Sequence, residues 1–468
     1  MVILAGFFFL LSGAVLYRNR GHFSSSIVLY TFFFLLSVGV GWRRSAGTRA
    51  WPPLLRPLLA MGLLLFLLAL VHHHRLLYAV PGTPLALMQG GLKLALGLGL
   101  GLAALFMPAQ NVAPRVFRWL AVGLWVVLST CQLLVPWVSP HPHIDVFVNL
   151  TLGVDYLWQG MNPYAQPYPD IYHGLYRYAS GMGYFPAVLF WLAPFRLTLG
   201  DIRFGYSASS LVFAWFLRWQ LQKAGVEERW TWVCPLLWLA LPVNLFVIEQ
   251  AWVDYLLIAQ LVLVWVLLEH RKAALSAVVL GGICATKQYG FLITGFGLLA
   301  IGRLVGLRSA LRAAGIACLT FLACVLPFAW ADWPSFKYIT IDNLVTSGLR
   351  KDAYSMQVYL HQKLQWEMPQ SLVTALALAG ALLGGAAIWR SLPKQALGAM
   401  AYACWTAYGF AFIFGKQAFC NYYHLGDFSK RISFIMLGRP AESKYPSWAT
   451  QGGAPDGFPP PASLACSV

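Results

Sequence analysis

The stretch HPHIDVFVNLTLGVDYLWQGMNPYAQPYPDIYHGLYRYASGMGYFP, residues 141–186, is the first long polar interruption in a very apolar chain. Apolar sequence resumes at Tyr184-Phe185-Pro186. The first carboxylate in the stretch is Asp145, close behind His141 and His143. At about 100° per residue, positions 145–160 read as a helix. Phe147, Leu150, Val154, Leu157 and Trp158 then share one face, and Asp145, Asn149, Tyr156 and Gln159 the other. This pattern suits a helix lying in a membrane interface, apolar side down. It equally suits an ordinary amphipathic connector. Gly160 reads as the helix stop and Asn162-Pro163 as a turn.

Working outward, composition sets the class. The 468 residues are 59% hydrophobic and only 10% charged, against about 25% charged in a soluble domain. The chain reads as a polytopic membrane protein. The net charge of +17 does not imply nucleic acid, because the Lys and Arg residues fall between apolar runs. There they set topology and meet anionic lipid headgroups. Met1–Tyr17 is apolar with no basic run before it, which reads as an uncleaved span. The eight cysteines fall mostly inside apolar runs and form no C-x-x-C pair, so buried free thiols are expected.

Runs of spanning length, roughly 17–25 residues, lie near 1–17, 26–42, 55–72, 84–107, 117–138, 203–222, 230–248, 251–268, 273–303, 310–330, 371–389 and 395–415. The run 273–303 is interrupted by Lys287-Gln288-Tyr289-Gly290 and is expected as two short helices. With the shorter run 184–199, the expectation is an all-α transmembrane bundle of about 12–14 apolar segments. No internal repeat is visible. Arg43, Arg44, Arg49, Arg56, Arg115 and Arg118 mark the cytoplasmic side. Arg218, Lys223, Arg229, Arg271, Lys272, Arg303, Arg308 and Arg312 join them if 184–199 lies along the outer leaflet rather than crossing.

Four polar clusters then share the outer side: Asp145 with its helix, Glu249-Gln250 with Asp254, Lys287-Gln288, and Lys416 to His424. The forty-residue connection 331–370 joins them, and long connections are often functional. Polar groups at membrane depth are costly and tend to line cavities. Asp145 suits a general base acting on a sugar hydroxyl. The H-x-H-x-D spacing also admits a divalent-metal half-site from His141, His143 and Asp145. Lys287 interrupts a long apolar run, where a lysine costs about 2.5–3.5 kcal/mol. It reads either as a cation for a phosphate or as a span end that snorkels to the interface. Lys416 and His424 offer further donors to a phosphate. Tyr164, Tyr168, Tyr172, Tyr176 and Tyr178 crowd one loop, as sugar-stacking faces or as loop packing.

These residues fall into a known order. Asp145-Val-Phe, then Leu157-Trp-Gln-Gly160-Met-Asn162-Pro163-Tyr164, then Tyr184-Phe185-Pro186 with Ala193-Pro194, resembles the first external loop of GT-C superfamily glycosyltransferases. It is most similar to the bacterial polyprenol-phosphate-mannose-dependent α-mannosyltransferase branch. Glu249-Gln250-Ala-Trp-Val-Asp254, Gly281-Gly282-Ile-Cys-Ala-Thr-Lys287-Gln288-Tyr and Asn421-Tyr422-Tyr423 resemble that branch's later segments, in order. Glu249 stands where glycine is usual, and Phe185-Pro186-Ala187 replaces tyrosine–proline–proline.

The resemblance covers about residues 116–424. It implies a GT-C-like catalytic module there, with 1–115 as added spans and 425–468 as a polar tail. It makes Asp145 the catalytic carboxylate and Lys287 a contact for the donor's lipid-linked phosphate. Asn162, Tyr164, Glu249, Gln250, Asp254, Gln288, Tyr422 and Tyr423 are the expected substrate-binding residues. The expected partners are a polyprenyl-phosphate hexose donor, a lipid or glycan acceptor and membrane lipids. The expected place is the cell membrane, with the site on the non-cytoplasmic face. The alternatives are a multi-pass transporter or polyprenyl-lipid flippase, a scaffold subunit of an envelope assembly, or an inactive homologue.

Overall fold

The computed structural model describes residues 114–174 and 180–416, with short pieces at 76–80, 82–86 and 90–91. The expected spans at 1–17, 26–42 and 55–72, most of 84–107, the tail 425–468, and Tyr422, Tyr423 and His424 lie outside these residues.

Every regular element among the described residues is helical. In chain order they are α1 (Pro114–Leu133), α2 (Val135–Val138), α3 (Asp145–Trp158), α4 (Ala187–Leu199), α5 (Arg203–Lys223), α6 (Glu228–Ala240), α7 (Pro242–Glu249) and α8 (Asp254–Glu269). Then come α9 (Ala273–Cys284), α10 (Gly290–Val305), α11 (Leu307–Ala331), α12 (Trp333–Lys337), α13 (Asn343–Thr346), α14 (Met356–Leu364), α15 (Gln370–Arg390) and α16 (Ala396–Ile413). Four of them, α1, α11, α15 and α16, are long and apolar enough to cross a membrane. At 1.5 Å per residue, the 25 residues of α11 reach about 37 Å, beyond a hydrocarbon core of about 30 Å. The pair α6–α7 passes the same test as one span bent by 48°. Helices α4, α9 and α10 are apolar but shorter.

The long helices pack side by side in the order α1, α6, α5, α8, α9, then α10 and α11, then α16 and α15. Small residues let them close up. A side chain at Gly281 would fall on the backbone carbonyl of Ala317, and one at Gly384 on the backbone of Ala403. Close backbone approach of this kind is how helices associate where lipid surrounds them.

The bend between α6 and α7 follows from Pro242. Proline has no N–H, so the Trp238 carbonyl loses its i+4 donor. The Leu241 N–H reaches that carbonyl at 3.1 Å and the Asn244 amide nitrogen donates to it as well, while the Asn244 oxygen accepts the Tyr255 hydroxyl at 2.5 Å. The break at Lys287 separates α9 from α10, as the polar insertion predicts.

Bonds between connections sort them into two ends: Gln288 reaches Gly183 and Thr340, Ala187 reaches Ala285 and Lys416 reaches Val345, whereas Lys223 pairs with Glu269 and Arg303 reaches Ser391. The segments 134–202, 250–253, 285–289, 331–370 and 414–416 share one end, which carries the polar clusters. Arg218, Lys223, Arg229, Arg271, Lys272, Arg303, Arg308 and Arg312 mark the other. Both ends of α4 are bonded to the polar end. Ala187 N–H donates to Ala285 O at 2.8 Å, and Arg203, just past α4, donates to Ser139 O at 2.6 Å. The long connection 331–370 is not irregular: it holds α12, a π-helical turn over Tyr338–Asp342, α13 and α14.

Candidate functional site

Asp145 is the first residue of α3, so its carboxylate sits where the helix dipole favours negative charge. It is half-buried. Its Oδ1 accepts the Val146 N–H at 2.8 Å and lies 3.4 Å from the Tyr172 hydroxyl. Asp170 holds Tyr172 in place by accepting the N–H groups of Tyr172 and Gly174 at 3.0 and 2.6 Å. The His143 ring meets the Tyr172 ring edge-on at 5.8 Å.

The face of α3 differs from the sequence expectation. Leu150 and Val154 are buried, as expected, but Asn149 is buried with them, while Trp158 is 72% exposed. Asn149 turns inward because its amide donates to Gly181 O at 2.9 Å. This satisfies the amide nitrogen, while the Asn149 side-chain oxygen is buried with no hydrogen-bond partner among the described residues. The helix ends at Trp158, and Gly160 takes the left-handed conformation at φ +73°.

Asn162 and Tyr164 close the loop that follows. The Asn162 side chain accepts the Tyr164 N–H at 3.1 Å and donates to Phe328 O at 3.3 Å. The Tyr164 hydroxyl donates to Tyr184 O at 2.8 Å, and its ring packs 4.7 Å from Phe336. Burial holds the Tyr164 and Tyr168 phenols well above the ordinary tyrosine value.

Lys287 is not a lone cation. It pairs with Asp254 at 3.3 Å, and both side chains are buried. The Tyr289 hydroxyl donates to the same Asp254 carboxylate. The ammonium also lies over the Tyr289 ring at 4.6 Å and the Tyr184 ring at 5.5 Å, an aromatic cage that favours a cation. Gln288 joins two distant connections, donating to Gly183 O at 2.8 Å and Thr340 O at 3.0 Å. Thr340 lies in the π-helical turn, where the widened turn leaves carbonyls for other donors.

Glu249 is fully buried, and its two oxygens accept the N–H groups of Leu77 and Tyr78 at 2.8 Å each. Beside it, the buried Gln250 amide nitrogen has no hydrogen-bond partner among the described residues. Lys416 donates to Val345 O at 2.8 Å, and its carbonyl accepts the Arg350 N–H at 3.2 Å. Partial burial holds the Lys416 ammonium below the ordinary lysine value.

Tyr78 links Glu249 to the approach to Asp145, and the connection 331–370 receives both Gln288 and Lys416. Two residues that the sequence reading passed over sit among them. Arg203, completely buried, binds Asp201 at 2.7 Å and lies 4.6 Å over the Phe147 ring in the first turn of α3. Arg196 grips both oxygens of Asp155 at 2.8 Å, fixing α4 to α3. The D-x-R spacing of Asp201 and Arg203, just ahead of an apolar run, was the available signal.

The metal half-site does not form. Among the described residues, no group of three or more His, Cys, Asp and Glu side chains is placed to hold a metal ion. His143 and Asp145 both face Tyr172 instead, and His141 is exposed. The cysteines at 131, 234, 284, 318, 324 and 404 are free. No family model, curated protein or solved structure matches this chain.

Proposed function

We propose that the protein is a multi-pass membrane glycosyltransferase of GT-C type. It moves a hexose from a polyprenyl-phosphate donor to a lipid or glycan acceptor on the non-cytoplasmic face of the cell membrane. The observation that carries this reading is the setting of Asp145. It is a half-buried carboxylate at a helix N-terminus, flanked by Tyr172 and His143, at the end of the bundle where the other polar connections meet.

In this reading Asp145 accepts the proton of the acceptor hydroxyl as that oxygen attacks the anomeric carbon. The new glycosidic bond forms as the bond to the donor phosphate breaks, and the polyprenyl phosphate departs with its charge. Its tail stays in the lipid while its head reaches the site. Lys287 meets the donor phosphate only by sharing its charge with Asp254, which makes the more exposed Lys416 the readier second cation.

The transporter or flippase reading draws on the buried Asp254–Lys287 pair, since intramembrane ion pairs also mark transport pathways. One experiment separates the two. Proteoliposomes carrying the protein are given a labelled polyprenyl-phosphate sugar and an acceptor-lipid extract. Transfer that falls by about 100-fold or more in Asp145→Asn supports the enzyme. Undiminished transfer in that variant removes Asp145 from the reaction, and sugar flux without transfer supports the transporter.

A further inference from the structure

We propose that Glu249 is a positioning residue for Asp145. Its buried carboxylate holds residues 76–80 as a strap, and the Tyr78 phenol of that strap fixes the approach to α3. The kinetic part of this proposal rests on the reading of Asp145 above; the structural part does not.

The segment from Val138 to Asp145 cannot hold itself in place. Pro140 and Pro142 remove two backbone donors in three residues. The internal bond it makes is a tight one, Ile144 N–H to Pro142 O at 3.0 Å. Its position is therefore set by outside contacts. At one end the Arg203 guanidinium donates to Ser139 O at 2.6 Å and to Pro136 O at 3.4 Å. At the other, two residues before Asp145, the Tyr78 hydroxyl donates to His143 O at 2.9 Å.

Tyr78 is placed by Glu249. The two carboxylate oxygens straddle consecutive amides, Oε2 on Leu77 N–H and Oε1 on Tyr78 N–H, each at 2.8 Å. Two amides side by side form a small concavity that the paired oxygens of one carboxyl group fit. Val80 N–H then donates to Val138 O at 3.1 Å, so the strap is anchored within four residues to α7, to the end of α2 and to the approach to α3. Leu76 is buried, and Leu77 and Ala79 pack on the core. Glutamine at 249 keeps one acceptor but turns an N–H₂ toward the second amide, so the chemistry calls for a carboxylate here. The strap belongs to the chain before residue 115, outside the stretch that carries the family resemblance. At 249, where that resemblance expects glycine, this chain has the group that holds its added segment.

The test uses the full-length protein in nanodiscs, with hydrogen exchange followed over 76–80 and 139–146. Tyr78→Phe removes only the phenol. Exchange in 139–146 should rise about two- to tenfold, the loss of one hydrogen bond, with 76–80 unchanged. Glu249→Gln should raise exchange in both segments. In the transfer assay both variants should lower kcat while KM for the donor stays put, because the site is misplaced rather than emptied. Unchanged exchange over 139–146 in Tyr78→Phe overturns the proposal, whatever Glu249→Gln does to folding. If the wild-type protein transfers no sugar, the functional reading fails and the exchange result still decides the strap.

Discussion

Replacing Lys287 by methionine strips the Asp254 carboxylate of a counter-ion held at 3.3 Å, with side-chain exposures of 5% and 2%. The Tyr289 hydroxyl remains as a donor to the carboxylate, but a neutral phenol does not balance its charge. Removing one member of such a pair costs about 3–5 kcal/mol. Asp254→Asn leaves the ammonium buried and should cost a similar amount. The double variant leaves no uncompensated charge and should be more stable than either single one. The expected coupling energy is therefore about 2 kcal/mol or more, well above the scatter of about 0.3–0.5 kcal/mol for independent sites. Denaturant unfolding in mixed micelles, read by tryptophan fluorescence, measures all four corners of the cycle. Additive losses, with the double variant the least stable, would refute the coupling. The transfer assay adds a second reading. If the donor phosphate uses Lys287, Asp254→Asn lowers the donor KM and Lys287→Met raises it.

Two adjacent glycines should respond with opposite signs. In Gly281→Ala the new methyl meets the Ala317 carbonyl and Thr320 and should cost about 1–3 kcal/mol, whereas Gly282→Ala meets nothing within 4 Å and should gain about 0.5–1 kcal/mol of helix stability. Unfolding midpoints decide this, and equal shifts would count against the α9–α11 contact. The Tyr164 and Tyr168 phenols, raised above 10.0 by burial, keep their protons in the folded chain after the unfolded chain has lost them. Stability should thus hold up to about pH 10 and fall above it. Tyr164→Phe should flatten that alkaline decline, and an unaltered slope in the variant would mean the phenol is not protected.

The helices α1, α5, α8 to α11, α15 and α16 were legible in the sequence because each is an apolar run closed by Gly, Pro or charge, whereas α12, α13 and α14 fall inside the connection 331–370 and had no such signal. Lys287-Gln288-Tyr289 was visible as a break because no lysine enters such a run without cost. What escaped was pairing across sequence distance. Nothing around Asn149 tells that Gly181 will supply its acceptor, so its polarity argued for the wrong face. Lys287 and Asp254 were each singled out, yet their neutralising one another depends on how α8 meets the α9–α10 break. Glu249 lies more than 170 positions from the amides it holds, and periodicity carries no information at that range. Arg203 only opens the apolar run 203–222 in the sequence; its burial follows from Asp201 and from the Pro136 and Ser139 carbonyls at the end of α2.

The proline bend between α6 and α7 bears on how the molecule works. A kinked helix is ordinarily a place where a bundle flexes, and rocking of one group of helices against another is what alternating access demands. Here Asn244 donates through its nitrogen to the Trp238 carbonyl and accepts through its oxygen from a neighbouring helix, so the kink is pinned from both sides. A joint fixed in this way holds the two halves of the bent helix at a set angle rather than letting them swing.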